Sequence, residues 1–243
     1  MPIQRLIVVA DAHLGAVPAS VEEALLHLLD ELPKLGDGLL LNGDLFAFWF
    51  SYRRAIPRSG VRVLTRLAAL ARRFPVLMTG GNRDRWGESF WEGELGIRFS
   101  AEELEFPLGH GRVVARHGDG IAEPTRRQAL KHWIVGHPLT SAGYRALPPD
   151  LGFWLGARMG GRVDQSARAE RLRDKAASLQ HRWAERRLQN AAPGTLLVLG
   201  HTHRPVSAEL LPRRRYLNPG AWLDGHRYAI ATDASVTLMQ YPG

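Results

Sequence analysis

The side chains in this 243-residue chain that could carry chemistry are concentrated in five short polar motifs, each of which follows a brief apolar run. Their donors are two aspartates, one asparagine and four histidines, with no sulfur. They are Asp11, His13, Asp44, Asn82, His117, His201 and His203. Hard oxygen and imidazole donors suit Mn²⁺, Fe²⁺ or Zn²⁺. Seven donors are too many for one tetrahedral ion but suit two ions that share a carboxylate, the arrangement that clamps a phosphorus centre during in-line displacement.

The spacing inside the motifs indicates a shared site. Asp11 and His13 lie two residues apart, as do His201 and His203. On an extended segment, side chains two apart point to the same side. A glycine precedes Asp44 and two of the other donors, which should let the backbone turn sharply close to an ion. Each motif alone is a weak signal, but all five occur in order, each after a predicted strand.

The elements that would position these donors are short buried strands alternating with amphipathic helices. The predicted strands span residues 5–10, 38–41, 75–79, 112–116 and 195–199. Helices are predicted over 20–32, with Ser20 as the N-cap, and over 61–73, closing on Arg72 and Arg73. This alternation favours an α/β layered fold, in which the carboxyl ends of neighbouring strands of one open sheet converge on a crevice. After residue 205, short strands separated by turns predict a final antiparallel meander.

The excess positive charge is confined to one segment. Residues 126–189 contain 13 Lys and Arg against 5 Asp and Glu, whereas the rest of the chain has 19 of each sign. The chain is predicted to be a single domain, 1–243, with a helical cap inserted at 123–190 that includes one Arg-rich helix over 167–188. The charge favours an anionic partner such as phosphate, nucleic acid or the inner leaflet of a membrane. The alternative is a plain solvated helix.

The cap also carries large apolar side chains. Rimmed by arginines, they would suit an acylated, anionic partner at a membrane surface, although most of them are expected to pack the cap onto the core. These apolar side chains are Trp133, Ile134, Leu139, Leu151, Phe153, Trp154, Leu155 and Met159. The aromatic run of Phe46, Phe48, Trp49 and Phe50 after Asp44 is likewise interpreted as core.

Composition excludes several classes of protein. The absence of cysteine excludes a disulfide scaffold, thiolate metal sites, iron–sulfur ligation and a cysteine nucleophile. No apolar run approaches the roughly 18 residues that a membrane span needs. The N-terminal residues lack the basic start and cleavage site of a signal peptide, so a cytoplasmic location is expected.

In the order of its motifs, the chain resembles the calcineurin-like metallophosphoesterases, whose pattern is D-x-H, G-D, G-N-H-[DE], H and G-H-x-H. The resemblance implies an α/β fold, a four-layer α-β-β-α sandwich with a helical cap insertion. It also implies two metal sites joined by Asp44. One ion would be held by Asp11, His13, Asp44 and His203, and the other by Asp44, Asn82, His117 and His201.

Arg83, in the place where most members carry histidine, narrows the resemblance. With this arginine and with residues 43–50, 137–139 and 200–205, the chain is similar to the UDP-2,3-diacylglucosamine pyrophosphohydrolases. These enzymes cleave the pyrophosphate of a lipid A precursor into UMP and 2,3-diacylglucosamine 1-phosphate. The resemblance implies two divalent ions, Mn²⁺ before Fe²⁺ or Zn²⁺, and a UDP-linked acylated sugar as the substrate. It also implies peripheral binding to the anionic inner face of the inner membrane. Nucleic acid is disfavoured as a partner, and the oligomeric state is left open.

The mechanism expected for such a site is attack of a metal-bridging hydroxide on phosphorus. Arg83 would bind phosphoryl oxygens through its planar fork. Asp84 is predicted to act with Arg83 as a catalytic residue, by accepting the second ring N–H of a ligand histidine and so orienting it, and Asp119 is expected to orient a ligand histidine in the same way. Alternative functions keep the metal centre but act on a soluble nucleotide, another phosphodiester or a phosphoprotein, or make the chain a nuclease. A purely binding protein would not need seven ligands.

Overall fold

The computed structural model describes residues 2–87, 89–121, 123, 125–161, 164 and 166–242. Its helices are α1 (Ala19–Leu35), α2 (Val61–Ala71), α3 (Ser89–Gly93), α4 (Arg126–Gly136), α5 (Pro138–Arg145), α6 (Pro149–Gly160) and α7 (Ala167–Gln189). Its strands are β1 (Leu6–Val9), β2 (Gly38–Asn42), β3 (Val76–Thr79), β4 (Arg98–Ser100), β5 (Glu103–Leu108), β6 (Gly111–Arg116), β7 (Thr195–Val198), β8 (Val206–Leu211), β9 (Arg214–Asn218), β10 (Arg227–Ala231) and β11 (Val236–Gln240). The five strands predicted before the polar motifs are all present, with ends shifted by at most one residue.

The strands form two sheets. One has six strands in the order β11-β10-β1-β2-β3-β4, with β1 to β4 parallel and β10 antiparallel to β1. The other has five strands in the order β5-β6-β7-β9-β8, in which β6, β7 and β9 run parallel. Each sheet therefore has a set of parallel strands whose carboxyl ends lie at one edge.

Alternation of side chains along the strands builds four layers. On β1, Leu6 and Val8 lie in the core between the two sheets, and Ile7 and Val9 lie in the core beneath α1 and α2. On the second sheet, β6 and β7 place alternate side chains in the inter-sheet core and beneath α7. Successive side chains of a strand point to opposite faces of the sheet. Since the side chains on both faces are apolar and buried here, each sheet is covered on both sides. The predicted α-β-β-α sandwich is confirmed.

Two helix ends differ from the prediction. Helix α1 begins at Ala19 after Pro18, so Ser20 lies inside the helix and is not its N-cap. The carbonyl oxygen of Pro18 accepts from the backbone N–H of Val21 at 3.0 Å, which closes the first turn ahead of the predicted start. Helix α2 ends at Ala71, with Arg72 as its C-cap and Arg73 beyond it.

The predicted terminal meander is wrong, because its strands are divided between the sheets. Strands β8 and β9 form a hairpin in the five-stranded sheet, and β10 and β11 form one in the six-stranded sheet. The crossing segment is anchored by Trp222, whose backbone N–H donates to Ala10 O at 2.9 Å and whose side chain is fully buried. A meander needs its strands in one sheet, and here burial of Trp222 beside β1 takes the chain across.

The basic segment is helical, as predicted, but its helices are not equivalent. Ala184 and Leu188 of α7 pack on the five-stranded sheet with Val114 and Leu197. The helix over 167–188 is therefore confirmed, and it forms the fourth layer of the sandwich. None of the helices in the described ranges is long and apolar enough to cross a membrane.

Helices α4 to α6 instead expose apolar side chains, which contradicts the expectation that most of them pack on the core. Six of the eight are exposed, namely Trp133 (62%), Ile134 (46%), Leu139 (75%), Leu151 (45%), Trp154 (56%) and Met159 (57%). The aromatic run after Asp44 behaves as core at Phe46, Trp49 and Phe50, while Phe48 is half-buried.

Candidate metal centre

The five polar motifs meet where the carboxyl ends of the two sheets come together. The prediction of a crevice in one open sheet is wrong, because β1, β2 and β3 belong to one sheet and β6 and β7 to the other. Hydrogen bonds join the two sides. Asn42 Nδ2 donates to Arg116 O at 3.1 Å, and His201 N donates to Asp11 Oδ2 at 3.0 Å. Two sheets can surround a site from opposite sides, which a single sheet edge cannot do.

Five of the seven predicted ligands have a left-handed backbone. Their φ angles are +54° at Asp11, +49° at His13, +51° at Asp44, +67° at His201 and +59° at His203. Asp11 and His13, like His201 and His203, thus converge through left-handed turns. The expectation that each pair lies on an extended segment is wrong. Each left-handed residue costs about 1–2 kcal/mol relative to the right-handed region. Strain of this kind clusters at functional sites, where the surrounding structure enforces it.

Two glycines allow the loops to approach each other closely. Gly43 has φ +82°, and a Cβ there would lie 2.4 Å from Nδ1 of His117. A Cβ at Gly81 would lie 2.1 Å from Oδ1 of Asp44. Any larger residue at either position would displace a predicted ligand.

Carboxylates and imidazoles lie close together at the centre of the site. Asp11 Oδ1 is 3.8 Å from His13 Nε2, 3.8 Å from His117 Nε2 and 3.3 Å from His203 Nε2. Asp44 Oδ2 is 3.7 Å from both His13 Nε2 and His117 Nε2. Two groups could each hold an ion, one formed by Asp11, His13 and His203 and the other by Asp11, Asp44 and His117. Asp11 belongs to both groups, whereas the resemblance implied that Asp44 is the shared ligand.

The remaining two predicted ligands flank this centre. Asn82 directly precedes Arg83, whose backbone N–H donates to Asp44 Oδ1 at 2.9 Å. The ring of His201 is 5.4 Å from the ring of His117, centroid to centroid, and its side chain is 28% exposed. Asn82 and His201 thus lie beside the group formed by the other five predicted ligands.

Unpartnered polar atoms at this centre test whether metal ions fit. Of the buried side-chain atoms that have no hydrogen-bond partner among the described residues, five belong to the predicted ligands: Asp11 Oδ1, His13 Nδ1, His13 Nε2, Asn82 Oδ1 and His117 Nε2. An unsatisfied buried polar group costs about 1–3 kcal/mol, so most such groups in proteins are paired. Four of the five are the ligand atoms that divalent cations would engage. The donor set therefore fits bound cations.

Burial and neighbouring charges shift the pKa values of the ionisable side chains in this centre. Burial raises the pKa of Asp44 to about 7. Burial would lower the pKa of His117, but the carboxylates around it, Asp44 first, raise it to about 9. Burial would likewise lower the pKa of His203, yet Asp11 and then Asp224 raise it to about 9. The pKa of Asp11 lies well below its usual value, since the charges of these two histidines outweigh its burial. In the metal-free protein, protons on His117 and His203 thus offset carboxylate charge.

The groups that orient the ligand histidines differ from those predicted. His117 Nδ1 donates to the backbone oxygen of Asn42 at 2.8 Å, and His203 Nδ1 donates to Asp224 Oδ2 at 3.2 Å. Asp84 instead accepts three backbone N–H groups, from Gly81, Asp44 and Phe46, at 2.8 to 3.3 Å. It fixes the two loops that carry Asp44 and Asn82. Asp224 gave no signal in the sequence, since an isolated aspartate 21 residues beyond a histidine is unremarkable.

Asp119 also has a different partner. Its Oδ2 lies 3.1 Å from His132 Nδ1 on α4 and 3.7 Å from Arg85 Nη2. The bond to Asp119 raises the pKa of His132. This contact joins the loop after β6 to the first of the exposed helices.

Arg83 and α6 connect the centre to the helical segment. Arg83 Nη1 donates to Met159 O at 3.1 Å. Three buried glycines at four-residue spacing on α6 face the segment 47–52, where a Cβ on any of them would clash. Beside this contact lies a cavity of about 390 Å³. Its lining residues include Leu14, Ala47, Phe48, Arg58, Phe153 and Ala157.

Comparison with known proteins identifies relatives that share most of the chain. No family model matches. The chain is 24% identical over 250 residues to a UDP-2,3-diacylglucosamine hydrolase of Porphyromonas gingivalis, covering 94% of each protein. It is 29% identical over 219 residues to the protein of the same name from Bordetella parapertussis, covering 86% of this chain and 83% of that one. A third, from Serratia proteamaculans, is 26% identical over 96% of this chain and 98% of its own length.

Two solved structures are also similar. One is Yfce, a phosphoesterase from E. coli, with a TM-score of 0.47, 16% identity and coverage of 98% of this chain and 100% of that one. The other is Vacuolar Protein Sorting 29 from Cryptosporidium parvum, with a TM-score of 0.45, 13% identity and coverage of 98% and 97%. The curated relatives and the order of the motifs confirm that the chain resembles the calcineurin-like metallophosphoesterases and, among them, the UDP-2,3-diacylglucosamine hydrolases.

Proposed function

We propose that this chain is a metal-dependent hydrolase that cleaves the pyrophosphate of UDP-2,3-diacylglucosamine, yielding UMP and 2,3-diacylglucosamine 1-phosphate. The observation that carries the proposal is the set of buried, unpartnered ligand atoms between the carboxyl ends of the two sheets. The names of the relatives, which match 86% to 96% of this chain in the three cases above, supply the substrate.

Two divalent cations would be held by the seven predicted ligands. The first would engage Asp11, His13, Asp44 and His203, and the second Asp44, Asn82, His117 and His201. When bound, such ions lower the pKa of water and neutralise charge on phosphoryl oxygens. We propose that both cations are Mn²⁺ in the cell. Fe²⁺ and Zn²⁺ are the other ions that these oxygen and imidazole ligands would accept.

The side chains of the protein itself would bind and orient the pyrophosphate. Arg83 follows Asn82 directly, and its backbone N–H already donates to Asp44. Its guanidinium can exchange the neutral Met159 carbonyl for a phosphoryl oxygen, which makes a stronger, charge-assisted hydrogen bond. Asp84, which we predicted as a catalytic residue, supports this role by holding the loops around Asp44 and Asn82 through three backbone N–H groups.

The acyl chains would be covered by the helical cap at 123–190. In support of this, Phe153 and Ala157 of α6 line the cavity that Phe48 borders. Six exposed apolar side chains, two of them tryptophans, accompany the arginines of helices α4 to α6. Apolar residues with interspersed arginines suit the surface of an anionic membrane. We therefore propose peripheral binding at the cytoplasmic face of the inner membrane, with α7 anchoring the cap.

A product analysis tests the proposed reaction. Purified protein with Mn²⁺ is incubated with UDP-2,3-diacylglucosamine, and the products are identified by mass spectrometry, with EDTA as the control. We expect UMP and 2,3-diacylglucosamine 1-phosphate, and no products after chelation. UDP-N-acetylglucosamine and single-stranded DNA are assayed in parallel. Equal turnover of the soluble nucleotide sugar, or cleavage of DNA alone, would contradict the proposal in favour of a soluble-substrate phosphoesterase or a nuclease.

A further inference from the structure

The buried face of α7 contains one polar residue. The buried side chains of the helix are Ala176, Gln180, Ala184 and Leu188, which recur every four residues along one face. Gln180 is fully buried, although glutamine is mostly found exposed in proteins. A buried amide is costly unless its donor and acceptor are both satisfied. Its partners therefore indicate why it is there.

Among the residues that the structure describes, every hydrogen-bond partner of the Gln180 side chain belongs to the turn after β7 or to the neighbouring strand β9. Its Nε2 donates to Gly200 O at 3.3 Å. Its Oε1 accepts from Tyr216 Oη at 2.9 Å, from Asn218 Nδ2 at 3.3 Å and from Thr202 Oγ1 at 3.5 Å. Asn218 Nδ2 also donates to Gly200 O and to Thr202 Oγ1, both at 3.0 Å. All four partners thus form one buried hydrogen-bond network.

This network holds the turn that carries two of the predicted metal ligands. Thr202 separates His201 from His203, and both histidines have a left-handed backbone. Such a conformation persists only where contacts from outside the turn enforce it. On the side of the site, Asp11 accepts from the backbone N–H of His201 at 3.0 Å. On the opposite side, Gln180 holds the turn through Gly200 O and Thr202 Oγ1.

Gln180 also touches the second ligand-bearing loop of this sheet. A Cβ at Gly118 would lie 2.4 Å from Gln180 Nε2, so the amide packs directly on the residue after His117. That loop and the turn are themselves joined, since Gly200 N donates to His117 O at 2.7 Å. The one polar group on the buried face of α7 therefore contacts both segments that supply histidines from the five-stranded sheet.

We infer that Gln180 is a positioning residue that sets the geometry of His201 and His203 for metal binding. The inference rests on the proposed function, because it takes these two histidines as ligands of the metal ions. It assigns α7 a role in building the metal centre, in addition to any role as part of the cap.

Metal binding by matched variants tests the inference. Gln180→Met removes the amide while keeping an unbranched side chain of similar length. Gln189→Met makes the same change at an exposed position of the same helix. Tyr216→Phe removes a single donor to Gln180 without changing the ring. Each variant is prepared metal-free, and Mn²⁺ affinity is measured by calorimetry together with the temperature of unfolding and with kcat at limiting and saturating Mn²⁺.

We expect Gln180→Met to weaken Mn²⁺ binding tenfold or more, Tyr216→Phe to weaken it about threefold and Gln189→Met to leave it unchanged. The kcat lost at limiting Mn²⁺ should return at saturation. Wild-type Mn²⁺ affinity in Gln180→Met would overturn the inference, even if its unfolding temperature falls, because a merely structural role lowers stability alone. Should Gln180→Met fail to fold, unchanged affinity in Tyr216→Phe would overturn it. A wild-type chain that binds no divalent cation would overturn the proposed function as well.

Discussion

His203 is hydrogen-bonded to Asp224, with its Nδ1 3.2 Å from Asp224 Oδ2, while its Nε2 faces the buried carboxylate of Asp11. A carboxylate accepting from one ring nitrogen fixes the tautomer and leaves the other nitrogen as the ligand atom. The ring of His203 is therefore already oriented to bind a cation through Nε2.

The first prediction concerns this pair. Asp224→Asn keeps the size of the side chain but removes its charge, so it should weaken Mn²⁺ binding about 10- to 100-fold, the usual effect of losing such a partner. Asp30→Asn, which neutralises an exposed partner of Arg66, is the charge-matched control. Calorimetry on both variants checks the result. Equal Mn²⁺ affinity in the two would show that Asp224 does not orient the ligand.

The second prediction is that metal affinity rises with pH. His117 and His203 have pKa values raised to about 9 in the metal-free protein, so both carry protons at neutral pH. A cation must displace these protons. Below the pKa of the histidines, its affinity therefore falls by about tenfold for each proton displaced when the pH is lowered by one unit. Affinity should thus increase from pH 6 to about pH 9 and then level off. Calorimetry in buffers of different ionisation enthalpy measures the protons released, and release of none would contradict the assignment of these ligands.

The third prediction is that Asp44→Ala abolishes hydrolysis. The carboxylate of Asp44 lies 3.7 Å from both His13 Nε2 and His117 Nε2, and in the proposed centre it is the ligand that both cations share. The variant should still fold, because the core strands lie behind the site. Circular dichroism checks the fold, and a phosphodiesterase assay with added Mn²⁺ checks activity. Near wild-type turnover would mean that Asp44 is not a shared ligand.

The fourth prediction separates phosphate binding from metal binding. Arg83→Ala should lower turnover by about 10²-fold, the scale for losing one preorganised donor, while metal content stays at two ions per chain. Arg83→Lys, which keeps the charge but not the planar fork, should recover part of the activity. Elemental analysis accompanies the kinetics. Loss of a metal ion in either variant would mean that Arg83 holds the metal ligands in place and does not bind the phosphate.

The fifth prediction tests the cap. Replacing α4 to α6, residues 126–160, by a short Gly/Ser bridge should abolish cleavage of UDP-2,3-diacylglucosamine but spare slow cleavage of bis-p-nitrophenyl phosphate. Remote binding energy from the acyl chains is lost, whereas the ligands all lie outside the deletion. Helix α7 is retained because Ala184 and Leu188 belong to the core.

The same deletion should weaken binding to anionic vesicles, an effect that salt should reproduce in the intact protein. Full-rate cleavage of the lipid by the shortened chain would contradict a role for α4 to α6 as a lid. The soluble-nucleotide alternative would then be favoured.

The sequence by itself determined which residues are candidate ligands and the order of the elements that carry them. Short buried strands are visible as apolar runs, and the polar residues directly after them, such as Asp11 and His117, cannot lie far from the strand ends. These relationships are local, so residue type and spacing are sufficient to predict them.

Only the tertiary structure decided what surrounds the ligands. Asn42 and His117 are 75 residues apart, and Gln180 and Asn218 are 38 apart, so no local pattern links them. The division of the strands between two sheets, and with it the two-sided site, depends on which distant strands pair and where Trp222 is buried. The left-handed backbone at Asp11 and His203 has the same origin, because a strained conformation is held by contacts from other segments and not by the preferences of the residues that adopt it.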